Sequence, residues 1–534
     1  MNKLKEARSG AGEGAATVVS RLAKLAPINA EMLLKEEAAA LGVPVRELRQ
    51  AVKTRRKETG GGKARQPAPA ATGAGEAPDG AATEDWLALE LARERGAMCR
   101  FDHTTGQWLV WDAHRWRRNG NGLVLDWIRE LVRRHAAEAG PRGRERLERA
   151  GTMRGVEALA QTDRAFAVEE KDLDQDPLLL GTPGGVVDLR DGSLRPGRPG
   201  DMISLSTAVT PAPEGTPCPP RWQAFLEFAC AADQDKGALM AFLQVACGYA
   251  LTGLTREQKL FFWFGDGGNG KGVFTTIIRE MMGEYATTAP MDMFIASYGE
   301  KHPTELTILH KRRLVVASET EEGRRWNESR IKTLTGEDEI TARRMREDNW
   351  SFKPTHKLWF LGNHKPALHS VDQAARRRFK IIPFDQKPEV EDPDLLDKLR
   401  EELPAILRWG IDGAVQWQAE GFPKADRVDA ATADYLDAQD LLGQWLEDKC
   451  LRNPLPLGPP AQVIRWWTEA RPDQPKIYGE LIGILHKAWS AYLEAAGERP
   501  WSSKRLSLEL EKRGYLHWKN AAGRYRLGLK LVDL

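Results

Sequence analysis

Cysteine is scarce in this chain, and its spacing excludes the usual cysteine chemistry. Cys99, Cys218, Cys230, Cys247 and Cys450 include no CxxC pair, which argues against a zinc ribbon and a disulfide framework and suits a reducing cytoplasm. Histidine is also sparse, ten in 534 residues, and none stands in HExxH or a similar metal-ligand spacing. No GxSxG nucleophile elbow is present. Long apolar runs are missing as well, none approaching the roughly 18 residues that cross a bilayer. Residues Met1 to Ala16 are charged and Gly/Ala-rich, without a secretory apolar core. The expectation is a cytoplasmic protein with no membrane partner. Charge of one sign is lacking too: 78 Lys and Arg against 76 Asp and Glu leave +2, so any nucleic-acid surface must be local. What is present is a hydrophobic content of 41%, enough for real cores, and a length that predicts two to four folded units.

Composition divides the chain. Residues 1–57 predict a small helical segment: Leu34, Ala38 and Leu41 share a helical face, Gly42-Val43-Pro44 interrupts it, and a basic helix resumes through Arg55, Arg56 and Lys57. That run fits a plain bundle or tether, with a nucleic-acid contact as the alternative. Residues 58–84, rich in Gly, Ala and Pro, predict a flexible linker. Residues 85–215 predict a mixed α/β domain: a helix from Trp86 to Arg95, strands around Gln107 to Trp111 and at Trp116, and hairpins between Leu178 and Thr210. Its tryptophans read as packing residues rather than a base-stacking platform. Two amphipathic helices follow within 216–253, then a core at 254–390, a helical extension at 391–450 and a last domain at 451–534.

The chemistry concentrates in the core. Lys259 to Phe264 (KLFFWF) is a buried-strand pattern running into Gly265-Asp266-Gly267-Gly268-Asn269-Gly270-Lys271-Gly272-Val273, and a helical stretch continues to Met282. Strand, glycine-rich loop, lysine and helix is the context of a P-loop. There, backbone N–H groups and the helix N-terminus cradle phosphate and the lysine reaches the β/γ phosphates. Position 272 departs from that motif, because glycine stands where Ser or Thr normally holds Mg²⁺. Either water fills the vacant coordination position, or Thr275 or Thr276 substitutes. A second strand, Arg313 to Ser318, ends in Glu319-Thr320-Glu321, carboxylates suited to holding Mg²⁺ and polarising water at the tip of a strand beside the loop strand. Between Lys271 and Glu319 there is room for the loop helix, a strand and a second helix. A third strand, Lys357 to Leu361, ends in Gly362-Asn363-His364, and Asn363 suits a γ-phosphate sensor. Arg376, Arg377 and Arg378 precede a final strand, Lys380 to Phe384, where a guanidinium can project into a neighbouring subunit.

Taken together, GDGGNGKG, RLVVASETEEGRRW, KTLTGEDEITARRM, KLWFLGNHKP and DQAARRRFKIIPF resemble superfamily III helicases, and more narrowly the helicase part of the phage and plasmid primase–helicase family. The specific likeness covers about Leu254 to Phe384. It implies an α/β fold with a P-loop, AAA-like core, ATP and Mg²⁺ as cofactors, a homo-hexameric ring, and 3′ to 5′ movement on single-stranded and forked DNA. By position, Lys271 binds phosphate within the loop, Glu319 holds the metal with Glu321 at the water site, and Asn363 is the sensor. Arg377 is the first candidate finger, with Arg376 and Arg378 as rivals. Residues before Asp85 leave little room for a primase, so a separate primase or other replication protein is an expected partner.

Ile340 to Met345 and Trp350 to Phe352 alternate about Arg346-Glu347-Asp348-Asn349, a predicted hairpin. In the resembled family this region grips DNA, which makes Lys332, Arg343, Arg344, Arg346 and Lys353 candidate DNA contacts. The alternative is a solvated hairpin paired with Glu337, Asp338 and Glu347. Lys476 to Ala496 reads as a helix, Ser502-Ser503 caps another through Arg513, and Gly514 to Leu531 reads as two strands. That order is winged-helix-like, although plain interaction modules share it. Besides the helicase, two readings stay open: a P-loop initiator or nucleotide switch that binds DNA without unwinding, and a degenerate remnant serving as a platform.

Overall fold

A computed structural model describes residues 18–20, 22, 34, 37–60, 82–232, 235–296, 303–318, 323–344, 348–368, 371–452, 460–468 and 477–532. The chain divides into two compact units, Met1–Pro78 and Asp79–Leu534. In the first, helix α1 (Val45–Gly60) follows a turn at Gly42, whose φ is +65°. Leu34, Ala38, Leu48 and Val52 are buried together with Val18 and Leu22. Helix α1 runs three residues into the stretch read as linker; residues 61–81 lie outside the described set.

The second unit opens with α2 (Glu84–Arg95), whose first turn is capped by Thr83 Oγ1 accepting from Trp86 N at 3.2 Å. Strands β1 (Cys99–Asp102), β2 (Gln107–Trp111), β3 (Trp116–Arg118) and β4 (Ala167–Val168) form a sheet in the order β3-β2-β1-β4. Helices α3 (Leu123–Glu138), α4 (Pro141–Leu147) and α5 (Ala150–Gln161) lie between β3 and β4 in the chain. Trp108, Phe166, Ile128 and Leu131 share one core, and Trp116 is fully buried in another, so these aromatics do pack rather than present a stacking face. The glycine-punctuated stretch forms an antiparallel meander of β5 (Leu179–Thr182), β6 (Gly185–Asp188) and β7 (Ser193–Arg195). Helices α6 (Pro220–Ala229) and α7 (Lys236–Leu251) follow.

The main core is a five-stranded parallel sheet. Its members are β8 (Leu260–Phe264), β9 (Ala286–Thr288), β10 (Leu314–Ser318), β13 (Lys357–Gly362) and β14 (Phe379–Pro383). The hairpin strands β11 (Ile340–Arg343) and β12 (Asn349–Phe352) stand apart from it. Sheet order is β14-β8-β13-β10-β9, and every pairing is parallel. Successive side chains on a strand point to opposite faces. Phe261, Trp263, Trp359 and Ile382 accordingly pack on one layer with α7 and with α8 (Lys271–Met282). Leu260, Phe262, Phe360 and Ile381 pack on the other with Trp326 and with Ile331 and Leu334 of α9 (Glu328–Thr335). Strands covered on both sides read as unbroken apolar runs, which is why they were legible. Two expectations need correction. The strand carrying the acidic tip, β10, is separated from β8 by β13. The second helix expected before β10 is replaced, among the described residues, by 3₁₀ turns at Met291–Met293 and Pro303–Leu309. The first follows Pro290 and the second begins on Pro303, prolines that fix φ and supply no N–H to extend a helix backwards.

A short helix, α10 (Gln373–Arg378), leads into β14, and α11 (Leu395–Arg400), α12 (Leu403–Glu420), α13 (Asp426–Gln439) and α14 (Leu441–Lys449) follow. Then come β15 (Cys450–Arg452), α15 (Pro460–Thr468), β16 (Gly479–Leu481), α16 (Ile482–Ala495), α17 (Ser503–Lys512), β17 (His517–Asn520), β18 (Gly523–Leu527) and β19 (Leu529–Leu531). The stretch read as a helix from Lys476 therefore begins as strand β16, drawn into a sheet of order β16-β18-β17 by pairing Gly479 with Leu527. Ser502 caps α17 as expected, accepting from Arg505 N at 3.2 Å. Among the described residues no helix is long and apolar enough to cross a membrane.

Two features bind the sheet to its surroundings. Helices α7 and α12 approach closely at Gly248 and Gly413, where a Cβ on Gly248 would overlap Ala414 N and the Gly413 carbonyl carbon. Below the amino ends of β10 and β13, buried Arg313 donates to the Leu251 carbonyl at 2.7 Å and the Leu179 carbonyl at 2.6 Å. Lys357 Nζ, also buried, donates to the Thr252 carbonyl and to Thr355 O at 3.2 Å. Leu251 and Thr252 end α7, so these cations complete a helix C-terminus. At the residue before Lys357, burial and then the Lys357 charge push the His356 imidazole down to about 4.

Replacing Gly248 with Ala should force α7 and α12 apart and cost roughly 1–3 kcal/mol, seen as a lower midpoint in urea denaturation; an unchanged midpoint contradicts the close packing. His356 predicts a pH effect of defined sign. Its folded value lies below 6.5, so the neutral form stabilises the fold fully above pH 6.5, and that stability drains as pH falls toward 4. The loss is about 1.4 kcal/mol per unit of pKa difference, and His356→Leu should flatten the decline of urea stability between pH 7 and 4.5.

Candidate functional site

Parallel strands leave their carboxyl ends together, and crevices outside such ends are where ligands bind in open α/β sheets. Here the ends of β8, β13 and β10 open onto a cleft of about 460 Å³ lined by Gly268 to Val273, Ser318, Leu361, Gly362, Asn363 and His364. The glycine-rich residues form its floor between β8 and α8. Gly265, at φ +153°, has no room for a Cβ, which would overlap the Phe384 carbonyl oxygen and the Asn269 side chain. Gly270 turns left-handed at φ +86° against the Phe225 ring and delivers the chain into α8.

Asn269 holds the loop in shape. It is 2% exposed, its amide donates to the Phe384 carbonyl beyond β14, and its Oδ1 lies 3.4 Å from Lys271 N. Lys271 Nζ donates to Gly265 O at 2.7 Å, to Asp266 O at 3.1 Å and to Asn363 Oδ1 at 2.7 Å. The loop lysine and the strand-tip asparagine, 92 positions apart in sequence, therefore meet directly because β8 and β13 are neighbours. Burial holds the Lys271 ammonium below the usual lysine range, with Asp266 opposing and Lys387 adding to the effect. The chemical capacity is that of an anion cradle: a helix N-terminus, glycine N–H groups and one ammonium converge on the cleft. For a metal the local supply is thinner. Gly272 has no hydroxyl, and Thr275 Oγ1 is turned into its own helix, donating to Lys271 O at 2.9 Å. Ser318, exposed at the end of β10, lines the cleft. Glu319 and Glu321 lie outside the described residues. Sequence reading missed Ser318 and the Phe384 carbonyl, neither of which has a motif of its own.

The three arginines before β14 have separate fates. Arg378 is buried and spent within its own chain, with Nε donating to Thr335 Oγ1 at 3.0 Å and a terminal nitrogen to Ala374 O at 3.0 Å. Arg376 faces Asp437 at 3.4 Å and Asp440 at 3.8 Å. Arg377 is exposed and makes no ion pair among the described residues.

The hairpin is present, with Ile340 opposite Phe352 and Arg343 opposite Asn349. Arg343 and Lys353 are exposed, and Arg346 lies outside the described residues. Arg344 pairs with Glu170 at 2.9 Å and covers the Trp350 ring. Lys332 pairs with Asp372 at 2.7 Å. These two bases do find carboxylates, in Glu170 and Asp372. His310 sits against Trp350 and Phe352 with ring centroids 4.6 and 5.1 Å away, and burial pushes its imidazole down to about 4 against the opposing charge of Glu170.

Fold and cleft thus define a mixed α/β protein with a parallel sheet and an anion cradle at the strands' carboxyl ends. Comparison with known proteins narrows this. Residues 88–231 match the family described as D5 N terminal like, and residues 263–378 match a family of unknown function, DUF5906. The chain is 24% identical over 383 residues to the frog virus 3 protein named "Putative helicase 022R", covering 56% of this chain and 39% of that protein. It is 28% identical over 241 residues to a similarly named protein, 184R, of invertebrate iridescent virus 6, covering 43% and 25%. The chain thus spans 25–39% of the length of these relatives. Among solved structures, the apo A form of the NrS-1 C terminal region aligns with TM-score 0.47 and 12% identity over 84% of this chain and 98% of that one. The resemblance to the phage and plasmid primase–helicase family, read first from the motifs, is borne out by the D5 N terminal like region and the helicase-named relatives.

If Asn269 shapes the loop, Asn269→Ala should cost roughly 1–3 kcal/mol by stranding the buried Phe384 carbonyl. Asn269→Asp should cost more, since a carboxylate cannot donate to that carbonyl. Urea denaturation of both variants at pH 7 checks the order, and equal stability of Asp and wild type contradicts it.

Proposed function

We propose that this chain is an ATP-dependent DNA helicase of superfamily III type, working as a homo-hexameric ring on single-stranded and forked DNA during phage- or plasmid-type replication. The observation that carries the reading is the meeting of Lys271 with Asn363 over the cleft at the ends of adjacent parallel strands. In a P-loop, AAA-like core that pair brackets the terminal phosphate: the ammonium draws in its charge, and the asparagine, released from the lysine, turns to the phosphate and the attacking water. Mg²⁺, when bound, would neutralise phosphate oxygens. Ser318 and, by the motif, Glu319 are the oxygen donors this chain offers it, and Glu321 would orient the water. Arg377, exposed and without an ion pair among the described residues, suits a finger reaching a neighbouring subunit's site better than Arg378, whose guanidinium is already committed. Arg343 and Lys353 suit contact with the DNA backbone. The relatives named as helicases and the order α15–β16–α16–α17–β17–β18, compatible with a winged helix, agree with replication work, and a separate primase fits as a partner.

A second reading is an initiator or nucleotide switch that binds DNA without unwinding it. Gly272, which has no hydroxyl, and Thr275, which is buried and turned into its own helix, favour it.

Steady-state ATP hydrolysis with and without single-stranded DNA separates the two. A motor is stimulated by DNA, and both Lys271→Ala and Arg377→Ala lower the rate at least about a hundredfold, in the range known for lost phosphate and finger contacts. Mixing the two variants restores part of it, since each supplies what the other lacks. ATP binding without hydrolysis in the wild type leaves the switch.

A further inference from the structure

Helix α10, which carries Arg377, has six residues, too few to hold an orientation by itself. Its direction must come from its tethers. At its start, Asp372 Oδ1 accepts from Ala375 N at 2.7 Å while Oδ2 receives Lys332 Nζ at 2.7 Å. At its end, Arg378 Nε donates to Thr335 Oγ1 at 3.0 Å in a buried contact. Lys332 and Thr335 both belong to α9, and Thr335 donates in turn to Ile331 O at 2.7 Å, which fixes its hydroxyl as an acceptor aimed at Arg378. Only residues 336–339 separate α9 from β11. Two contacts, one at each end of α10, thus join the helix presenting Arg377 to the helix from which the candidate DNA hairpin grows.

We propose that Lys332–Asp372 and Thr335–Arg378 form a strut that lets the hairpin set the position of Arg377, making Lys332 and Arg378 positioning residues rather than a DNA ligand and a finger. The inference rests on the reading of Arg377 as a finger acting across a subunit boundary. Hairpin movement along DNA displaces α9, α9 turns α10 through both ends, and Arg377 enters or leaves the adjoining ATP site. DNA stimulation of hydrolysis then follows from geometry, without DNA touching the nucleotide. Lys332 serves this role with its charge already matched by Asp372, which leaves it poorly placed to neutralise a phosphate.

The test uses the full chain and two conservative breaks. Lys332→Met removes the cation, and Asp372→Asn removes the ion pair while keeping a side chain that caps helices as well as Asp. Both should lower DNA-stimulated kcat about fivefold, the effect of a partly exposed ion pair, with affinity for a fluorescent ATP analogue unchanged. Lys332→Arg should restore the rate. Mixing Lys332→Met with Lys271→Ala subunits should also recover hydrolysis, because the latter donate a correctly set arginine. Affinity for single-stranded DNA, measured across salt, should keep its slope in Lys332→Met. A slope lower by about 0.7, the signature of one lost phosphate contact, overturns the strut and returns Lys332 to the DNA surface, and an unchanged kcat in both variants overturns it too. The underlying reading fails differently: if Arg377→Ala itself hydrolyses ATP normally, the finger assignment falls and the strut with it.

Discussion

Everything at the candidate site depends on a buried side-chain amide. Asn269 reaches from the glycine-rich loop to the Phe384 carbonyl just past β14 and stands beside the Lys271 N–H. That bond clips the loop to the strand on the far side of β8, leaving Lys271 free to lean the other way, toward β13 and Asn363. The loop is therefore held from both flanks of its own strand. Glycine at 265 is required because any Cβ would occupy the space of this clip. The loop is held in shape by these contacts alone, so an anion bound in the cleft would not have to order it.

The strands of the core were legible because each is buried on both faces. KLFFWF, RLVVAS and KLWFL carry no polar break, and such runs announce a covered parallel sheet. Their order was not legible. Nothing in RLVVAS says that KLWFL will insert between it and the loop strand, since that depends on crossover paths rather than on local pattern. The three-residue strand Gly479–Leu481 escaped, and Ala286–Thr288, expected only as a strand somewhere between Lys271 and Glu319, had no pattern to place it, for a related reason: both exist through their pairing partners. The arginine run shows the limit for sites. Arg376, Arg377 and Arg378 are chemically equivalent in the sequence, and their distinct roles come from a 100° step of the helix between neighbours, which faces one to acids, one to solvent and one to the buried Thr335 hydroxyl.

Charge placement carries a similar lesson. A net charge of +2 conceals bases of two kinds. Some are internal fasteners, such as Arg313 and Lys357, which close the end of α7, and Arg344 and Lys332, which anchor the hairpin and its supporting helix to Glu170 and Asp372. Others, such as Lys353 and Arg377, stand exposed at the surface. A count of basic residues in a motif does not separate the two kinds, and the distances do. Hairpin, α9 and α10 are joined in turn, by residues 336–339 and by the Lys332–Asp372 and Thr335–Arg378 contacts.

The most direct measurement is strand separation on a forked DNA duplex with ATP, compared with the same reaction containing a non-hydrolysable ATP analogue. A ring motor releases the displaced strand with ATP, stalls with the analogue and is inactive as Lys271→Ala. Equal binding to the fork under all conditions, with no strand released by the wild type in ATP, contradicts the motor and leaves a nucleotide-gated DNA-binding protein.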